Sequence, residues 1–224
     1  MNVKQFDQLD AFLEAMAPVH DDIQHEMATR AADEGFPIIG PAAGAVLRQF
    51  AVATGAERIF EFGSGFGYSA TWFAPALPDD GELILTEIDA NEMADAETYL
   101  EQAGYDHLIT YEVGDATEII NRHDGPFDVV LIDAAKEQYV ECYESVRDKV
   151  ATGGVIIADN ALTAGDMDTA GIMDAVIEGD TDPALDATAE GIRRYLQHII
   201  DDAGFVTSVL PVGSGLAVSV KHNG

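Results

Sequence analysis

The sequence predicts an α/β fold: a mostly parallel, seven-stranded sheet with helices on both faces and an antiparallel hairpin near the C-terminal end. From residue 58 onward, short apolar runs alternate with segments of helical period, a pattern typical of a parallel sheet. The last two apolar runs, Phe205–Leu210 and Leu216–Lys221, are joined by five residues that include two glycines. Two strands with such a short connection predict a hairpin.

The first part of the chain, residues 1–55, is predicted to be helical. Its apolar residues recur with helical period, and prolines separate the periodic segments. It contains no cluster of catalytic residue types, so we expect it to pack against the core, with a dimer contact or a lid as alternatives. The predicted helices are 5–17, 20–33 and 42–54.

Residues 56–224 are predicted to form the α/β core. Phe127–Ile132 and Val155–Ala158 are nearly continuous apolar runs, as expected for central strands buried on both faces. No linker or internal repeat interrupts the chain, so we expect a single domain, 1–224. The predicted parallel strands are 58–62, 83–88, 108–113, 127–132 and 154–158, and the predicted helices are 67–76, 91–103, 115–122, 137–149, 167–178 and 185–203.

The charge of the chain is strongly negative. Lys and Arg total 11 against 41 Asp and Glu, which gives a formal net charge of −30. The acids are spread along the whole chain, which favours adaptation to a salt-rich cytosol over a local site for cations or basic partners. At low salt the same charge repels a phosphate backbone, so nucleic acid is not an expected partner.

Several features predict a cytoplasmic protein without a membrane partner. Hydrophobic residues make up 47% of the chain, as in globular proteins, and no apolar run approaches the roughly 18 residues of a membrane span. The segment Met1–Asp10 is polar and does not resemble a secretory signal. The single cysteine, Cys142, permits no internal disulfide and is expected to be a small packed side chain.

A glycine-rich turn follows the first predicted strand. That strand contains Glu61, and Gly63, Gly65 and Gly67 follow at alternate positions before a helix. Glycines let a ligand approach the backbone, and the free N–H groups of a helix start favour a polar or anionic group. The dinucleotide fingerprint needs glycine where Tyr68 stands, which argues against a dehydrogenase. We expect a nucleoside ligand without a pyrophosphate; a purely structural turn is the alternative.

Acidic residues after the next two strands are further candidates for nucleoside binding. Glu87 lies twenty positions beyond Gly67, where an acid commonly accepts hydrogen bonds from ribose hydroxyls. Asp89 is a weaker candidate for the same role. The segment Gly114–Asp115–Ala116 follows the third strand and is placed for the adenine edge, although Asp115 could equally cap the following helix.

Oxygen ligands follow the fourth and fifth predicted strands. Asp133 ends one strand, and Asp159 and Asn160 end the next. Since the carboxyl ends of parallel strands meet at one edge of the sheet, these side chains should converge there. Two carboxylates and an amide oxygen suit a hard cation, Mg²⁺ before Ca²⁺ or Mn²⁺. The absence of clustered His or Cys in the sequence argues against zinc.

Lys136 is one of few lysines in the chain and lies three residues after Asp133. Beside a cation and partly desolvated, a lysine can act as a general base. The alternative is a surface lysine paired with Glu137 or Glu141, and the scarcity of lysine favours the catalytic role.

These motifs together resemble the cation-dependent small-molecule O-methyltransferases, a family that includes catechol and caffeoyl-CoA O-methyltransferases. The resemblance runs from about residue 20 to the C-terminal end, and its most specific part is the set of strand-end residues. It is carried by Glu61-x-Gly63-x-Gly65-x-Gly67-Tyr68-Ser69, Ile132–Asp133–Ala134–Ala135–Lys136, and Gly153–Gly154 with Asp159–Asn160.

The resemblance implies a Rossmann-like class I methyltransferase fold, S-adenosylmethionine as methyl donor, Mg²⁺ or another divalent cation, a catechol-like acceptor and a homodimer. It also implies a role for each matching residue. Glu61, Gly63, Tyr68 and Ser69 would line the methionine part of the donor, Gly65 would also bind the donor, Glu87 would bind its ribose, and Asp115 and Ala116 its adenine. Asp133, Asp159 and Asn160 would hold the metal. Asp133 would also lie beside the donor and act in catalysis, and Lys136 would be the base.

Three positions depart from the caffeoyl-CoA branch of the resembled family: Ala135, Arg193–Leu196 and Ser214–Gly215. They lie near the acceptor side or in the C-terminal part of the fold, so they leave the acceptor open. A hydroxyl of a tRNA hydroxyuridine is one alternative acceptor. A module that holds a nucleoside without catalysis is an alternative of another class.

Overall fold

The computed structural model describes residues 11–163, 169–179 and 185–223. Its centre is a seven-stranded sheet with the order β3-β2-β1-β4-β5-β7-β6. The first five strands are parallel, and β7 pairs antiparallel with both β5 and β6. The predicted fold class is therefore confirmed. The strands are β1 Arg58–Phe62, β2 Glu82–Glu87, β3 Ile109–Val113, β4 Phe127–Ile132, β5 Val150–Ala158, β6 Phe205–Leu210 and β7 Leu216–Lys221.

Helices connect the strands and cover the sheet. Within the described residues, 11–16 are helical, and the rest of the predicted helix 5–17 falls largely outside them. Residues 167 and 168 of another predicted helix also lie outside the described part. The remaining α-helices are α1 Asp22–Glu34, α2 Gly40–Thr54, α3 Tyr68–Phe73, α4 Ala90–Gln102, α5 Ala116–Ile119, α6 Tyr139–Val146, α7 Thr169–Glu178 and α8 Ala187–Ile200.

The first of these helices shows how local sequence fixes an element. The Asp21 carboxylate accepts a hydrogen bond from the Gln24 backbone N–H at 2.8 Å, and the Gln24 side chain accepts one from the Asp21 N–H at 3.2 Å. This reciprocal arrangement is a capping box, which satisfies N–H groups at the helix start. Gly35 ends the helix with a φ of 67°, a left-handed conformation that glycine adopts without strain.

Element bounds differ most from the prediction at β5 and at three short helices. The strand begins at Val150, which pairs with Phe127, rather than at 154. The prediction began too late because Gly153 and Gly154 interrupt the apolar run, and the register with β4 shifts across this stretch. The predicted helices 67–76, 115–122 and 137–149 are shorter α-helices with adjoining 3₁₀ turns. Tight turns of this kind are common at helix ends and preserve the helical period of the sequence.

The core lies on both faces of the sheet because alternate strand residues point to opposite sides. Ile59 packs with the side of the sheet covered by α1 to α4, whereas its neighbour Phe60 packs with the side covered by α5 to α8. Cys142 is buried in the second cluster, as expected for a packed cysteine. None of the helices in the described ranges is long and apolar enough to cross a membrane.

The strand order places a topological switch point between β1 and β4. From β1 the chain continues outward through β2 and β3 on one side, and from β4 through β5 on the other. Crossovers on either side of such a point leave a crevice at the carboxyl ends of the two strands, where ligands bind in open α/β sheets. All of the strand-end residues singled out in the sequence belong to this edge.

Candidate active site

A cleft of about 290 Å³ opens at the carboxyl edge of the sheet. It brings together most of the predicted site residues, which come from four strand ends and one helix start. The predicted residues that line it are Gly63, Gly65, Tyr68, Ser69, Glu87, Asp133, Lys136, Asp159 and Asn160.

Gly63 brings the end of β1 against the end of β4. The Asp133 N–H donates to the Phe62 carbonyl at 2.8 Å, so the two strands stay paired up to the cleft. Gly63 has a φ of 80°, and a Cβ at this position would lie 2.6 Å from the Asp133 carbonyl oxygen. Only glycine allows this approach, which places the glycine turn directly beside the candidate metal ligands.

Glu61 is buried beneath the glycine turn. One of its carboxylate oxygens accepts a hydrogen bond from the Ser69 hydroxyl, and the other, Oε2, has no partner within the described residues. Burial raises the pKa of Glu61 to about 8. A buried oxygen without a partner is costly unless a ligand completes its hydrogen bonding. Glu61 and Ser69 therefore fit a cationic or hydrogen-bond-donating ligand near the glycine turn. Ser69 lines the cleft, whereas Glu61 is not among the lining residues.

Glu87 fixes the glycine turn from the neighbouring strand. Its Oε2 accepts a hydrogen bond from the Gly65 N–H at 2.9 Å, and its Oε1 accepts from the N–H groups of Ile88 and Asp89 at 2.8 and 3.0 Å. The carboxylate is thereby oriented at the cleft wall. A carboxylate has about four lone-pair sites, so these three bonds leave capacity for a ligand hydroxyl.

Asp115 and Ala116 are not among the residues that line the cleft. Asp115 instead caps α5: its carboxylate accepts from the Thr117 N–H at 2.9 Å and the Thr117 hydroxyl at 2.7 Å. The hydrogen bond from the Thr117 hydroxyl is the main reason that the pKa of Asp115 lies below its usual value. The capping interaction is thus observed, and the adenine contact of both residues stays a prediction.

Asp159 and Asn160 leave β5 in conformations suited to ligand binding. Asp159 is 3% exposed, and its Oδ1 has no hydrogen-bond partner among the described residues. Burial, and then the charge of Asp133, raise the pKa of Asp159 to about 7. Asn160 has a φ of 57°, which is rare outside glycine and often marks a functional position. Its Nδ2 donates to the Thr163 carbonyl at 3.1 Å, so the amide oxygen is the group left to bind a ligand.

This geometry fits a divalent cation. A buried, unpartnered carboxylate oxygen beside a second carboxylate is unfavourable by itself, and a hard cation would compensate both charges. Across the described ranges, no group of three or more His, Cys, Asp or Glu side chains could hold a metal. The candidate set is instead two carboxylates and an amide, a small donor set that suits Mg²⁺, which keeps several waters.

Lys136 belongs to the cleft rather than to the protein surface. Its Nζ donates to Asp133 Oδ1 and to the Tyr139 hydroxyl, both at 2.9 Å, and to the Ala134 carbonyl at 3.2 Å. Its side chain is 15% exposed. Burial raises the pKa of Asp133, and the nearby Lys136 opposes this effect. The lysine thus links a candidate metal ligand, Asp133, to Tyr139 at the wall of the cleft.

The structure adds lining residues that the sequence reasoning did not single out. The loop Phe36–Ile39 forms an apolar wall, and Ser214 enters from the turn before β7. His20 Nε2 lies 2.7 Å from the Tyr68 hydroxyl, and burial raises the pKa of Tyr68 to about 12. The sequence signal for the loop is a pair of prolines, Pro37 within it and Pro41 just after it.

Comparisons with known proteins identify the family of this chain. The model of a family described as O-methyltransferase matches residues 21–222. A catechol O-methyltransferase of Niastella koreensis is 31% identical over 201 residues, which cover 87% of this chain and 86% of that protein. A caffeoyl-CoA O-methyltransferase of Stellaria longipes is 25% identical over 95% of this chain and 89% of its own length.

A solved structure extends the similarity to the whole fold. The O-methyltransferase TomG of Streptomyces achromogenes was crystallised in complex with S-adenosylmethionine. Its superposition on this chain covers 100% of each chain at 25% identity, with a TM-score of 0.83. The family match spans nearly the entire chain, and one relative exceeds 30% identity over most of it. This chain therefore belongs to the O-methyltransferase family.

Proposed function

We propose that this S-adenosylmethionine-dependent O-methyltransferase methylates one hydroxyl of a small catechol-like acceptor held at a divalent cation, Mg²⁺. The observation that carries the proposal is Asp159, whose buried Oδ1 has no partner at the carboxyl edge of the sheet. Asp133 and Asn160 lie in the same cleft, and Lys136 is within hydrogen-bond distance of Asp133. The catechol acceptor is supported by the name of the Niastella koreensis relative.

The glycine turn is proposed to hold the methyl donor. Tyr68 and Ser69, which line the cleft, would contact its methionine part. Glu61 is buried behind Ser69, and its unpartnered oxygen would favour a positively charged or hydrogen-bond-donating group of the methyl donor nearby. Glu87, already oriented by the Gly65 N–H, accepts hydrogen bonds from the ribose. The role proposed for Asp115 and Ala116 at the adenine follows from the family resemblance alone.

Asp133, Asp159 and Asn160 are proposed to hold the cation. When bound, the cation acts as a Lewis acid that lowers the pKa of an acceptor hydroxyl. Hydrogen bonds to Asp133, Ala134 and Tyr139 use all three protons of a charged Lys136 Nζ. The base would therefore be the neutral amine, which has two N–H groups and a lone pair: it would accept the proton of that hydroxyl while its bonds to Asp133 and Tyr139 keep Nζ in position. The acceptor oxygen then forms a bond to the methyl carbon as the bond from that carbon to sulfur breaks, and S-adenosylhomocysteine leaves.

The apolar wall of the cleft supports an aromatic acceptor. Phe36, Pro37, Ile38 and Ile39 line the same cleft as the strand-end polar groups, so a ligand there can combine an apolar ring with oxygen substituents. A tRNA acceptor is less well supported. Arg193 is 5% exposed and ion-paired with Glu190 at 2.6 Å, so Arg193–Arg194 does not form a basic surface pair.

Three further properties are proposed from composition and family resemblance. The dispersed acidity fits a protein that works at high salt, the single buried Cys142 fits a cytoplasmic location, and a homodimer is expected from the resemblance. A non-catalytic nucleoside-binding module is disfavoured because the chain belongs to an enzyme family.

A matched pair of acceptors tests the proposed substrate class. In molar KCl with Mg²⁺, we expect methyl transfer from labelled S-adenosylmethionine to catechol with a kcat/KM at least about 100-fold above that for phenol, because phenol lacks one of the two metal-binding oxygens. Equal transfer to both compounds would show that chelation is not used. If S-adenosylmethionine binds but neither catechol nor phenol is methylated, the proposed acceptor class is wrong and tRNA becomes the next substrate to test.

A further inference from the structure

The turn between β6 and β7, residues 211–215, lies beside the segment that follows the candidate metal ligands. Strand β7 pairs antiparallel with the end of β5, with Ala217 opposite Ala158. The turn therefore sits next to Asp159 and Asn160. We propose that this turn, through Gly215, is a positioning device for Asn160; the inference rests on the proposed metal-dependent function.

Three backbone hydrogen bonds join the turn to the segment 161–163. The Ala161 N–H donates to the Gly215 carbonyl at 2.9 Å. The N–H groups of Leu162 and Thr163 both donate to the Ser214 carbonyl, at 3.0 and 3.1 Å. Two carbonyls of the turn thus hold every N–H of the three residues that follow Asn160.

The connection continues into the Asn160 side chain. Thr163, held through its N–H by Ser214, accepts a hydrogen bond from Asn160 Nδ2 on its own carbonyl at 3.1 Å. A shift of the segment 161–163 would therefore turn the amide and move its oxygen. Asn160 also needs external support, since its φ of 57° is an unfavourable conformation that surrounding contacts must maintain.

Gly215 is the residue that allows this close contact. Its φ is 87°, and a Cβ there would lie 2.5 Å from Leu162 Cγ, 2.7 Å from Leu162 Cβ and 2.8 Å from the Leu162 backbone nitrogen. Real Cβ atoms do not approach other atoms so closely, so a side chain would push the segment 161–163 away. The turn also lies near the start of α2: a Cβ at Gly213 would be 3.2 Å from both Ala43 Cβ and the Ile39 carbonyl oxygen. This packing limits how far the turn can shift, so we expect the displacement to fall on the Asn160 segment.

The decisive comparison is Gly215→Ala against Gly153→Ala. Gly153 has a φ of 82°, almost the same backbone strain, but a Cβ there meets nothing within 4 Å. Mn²⁺ binding is measured by electron paramagnetic resonance without donor or acceptor. We expect Gly215→Ala to weaken Mn²⁺ binding by at least about 10-fold, as changes to residues that orient metal ligands do, and Gly153→Ala to change it by less than about 2-fold.

Other readouts separate positioning from general damage. In Gly215→Ala we expect the affinity for S-adenosylmethionine to stay within about 3-fold of that of the unaltered protein. At saturating Mn²⁺ we expect kcat also to return to within about 3-fold of the unaltered value. Adding Gly215→Ala to Asn160→Ala should weaken Mn²⁺ binding no further than Asn160→Ala alone, since the two changes act through one ligand. Additive losses, or equal Mn²⁺ affinity in the two glycine variants, would overturn the inference.

Two outcomes need separate treatment. If the unaltered protein binds no Mn²⁺, the proposed metal-dependent function fails and this inference fails with it. If Gly215→Ala does not fold, Thr163→Pro replaces it. Thr163 is an exposed residue, and proline there removes the N–H that donates to Ser214 but keeps the carbonyl that accepts from Asn160. A folded Thr163→Pro variant should bind Mn²⁺ about 3-fold or more weakly, in line with the loss of one hydrogen bond. Unchanged binding would refute the positioning role.

Discussion

Replacing Asp159 with asparagine is expected to lower kcat/KM by at least about 100-fold, or about 2.7 kcal/mol of transition-state stabilisation. The amide keeps the shape of the carboxylate but removes its charge from the proposed metal site. The loss should appear in Mn²⁺ affinity and in methyl transfer, with S-adenosylmethionine affinity little changed. The effect is measured from the rate of methyl transfer as the concentration of the divalent cation is raised.

The same substitution is expected not to destabilise the metal-free protein. Asp159 is buried with an unpartnered oxygen, and its raised pKa shows that the folded state disfavours the charged form. Removing such a charge should leave the melting temperature equal or higher, as for other sites where function costs stability. The control is Asp79→Asn, which removes the same charge from an exposed residue in the turn before β2. Full metal-dependent activity in Asp159→Asn would exclude this residue as a ligand.

Lys136→Met should lower kcat by about 10²- to 10⁴-fold, the usual range for loss of a general base. Methionine keeps much of the length and apolar stem of lysine but cannot accept the acceptor proton. We expect S-adenosylmethionine affinity to stay within about 3-fold of the unaltered protein, because Lys136 donates to Asp133, Ala134 and Tyr139 rather than to the glycine turn. Single-turnover methyl transfer at saturating donor measures the chemical step directly.

Lys149→Met provides a matched control for the lysine. Lys149 is also partly buried and donates to the carbonyls of Ile120 and His123, at 2.6 and 2.9 Å, but it does not line the cleft. The substitution Lys149→Met should lower the free energy of unfolding, because both hydrogen bonds are lost, and should leave kcat unchanged. If Lys136→Met instead abolishes donor binding with the fold intact, Lys136 supports the donor site and is not the base.

The sheet could be predicted because its signal is local. The apolar runs 58–62 and 127–132 and both strands of the hairpin have the bounds that the structure shows. Parallel topology then places the residues after each strand at one edge, so Glu87, Asp133 and Asp159 could be brought together without coordinates. The largest error was the start of β5, where Gly153 and Gly154 resemble a loop but continue the strand. The bounds predicted for β2 and for the start of β3 differ from the structure by one residue.

The contacts that complete the cleft could not be predicted because they join segments distant in sequence. His20 reaches Tyr68 across 48 positions, and the apolar loop at Phe36 meets the glycine turn only through packing of the N-terminal helices. Ser214 enters the cleft because β7 pairs antiparallel with β5. Asp115 shows a different limit, since the same local pattern serves a helix cap and a ligand contact, and only the cap is visible in the structure.

Metal removal during catechol methylation tests the central claim most directly. The protein, purified in molar KCl, is treated with EDTA, desalted into the same salt, and assayed with labelled S-adenosylmethionine and catechol before and after Mg²⁺ is restored. We expect at least about a 100-fold loss of transfer in the chelated protein and full recovery with Mg²⁺, while donor binding persists throughout. Undiminished methylation of catechol after chelation would contradict the account, because Asp133, Asp159 and Asn160 would then hold no catalytic cation.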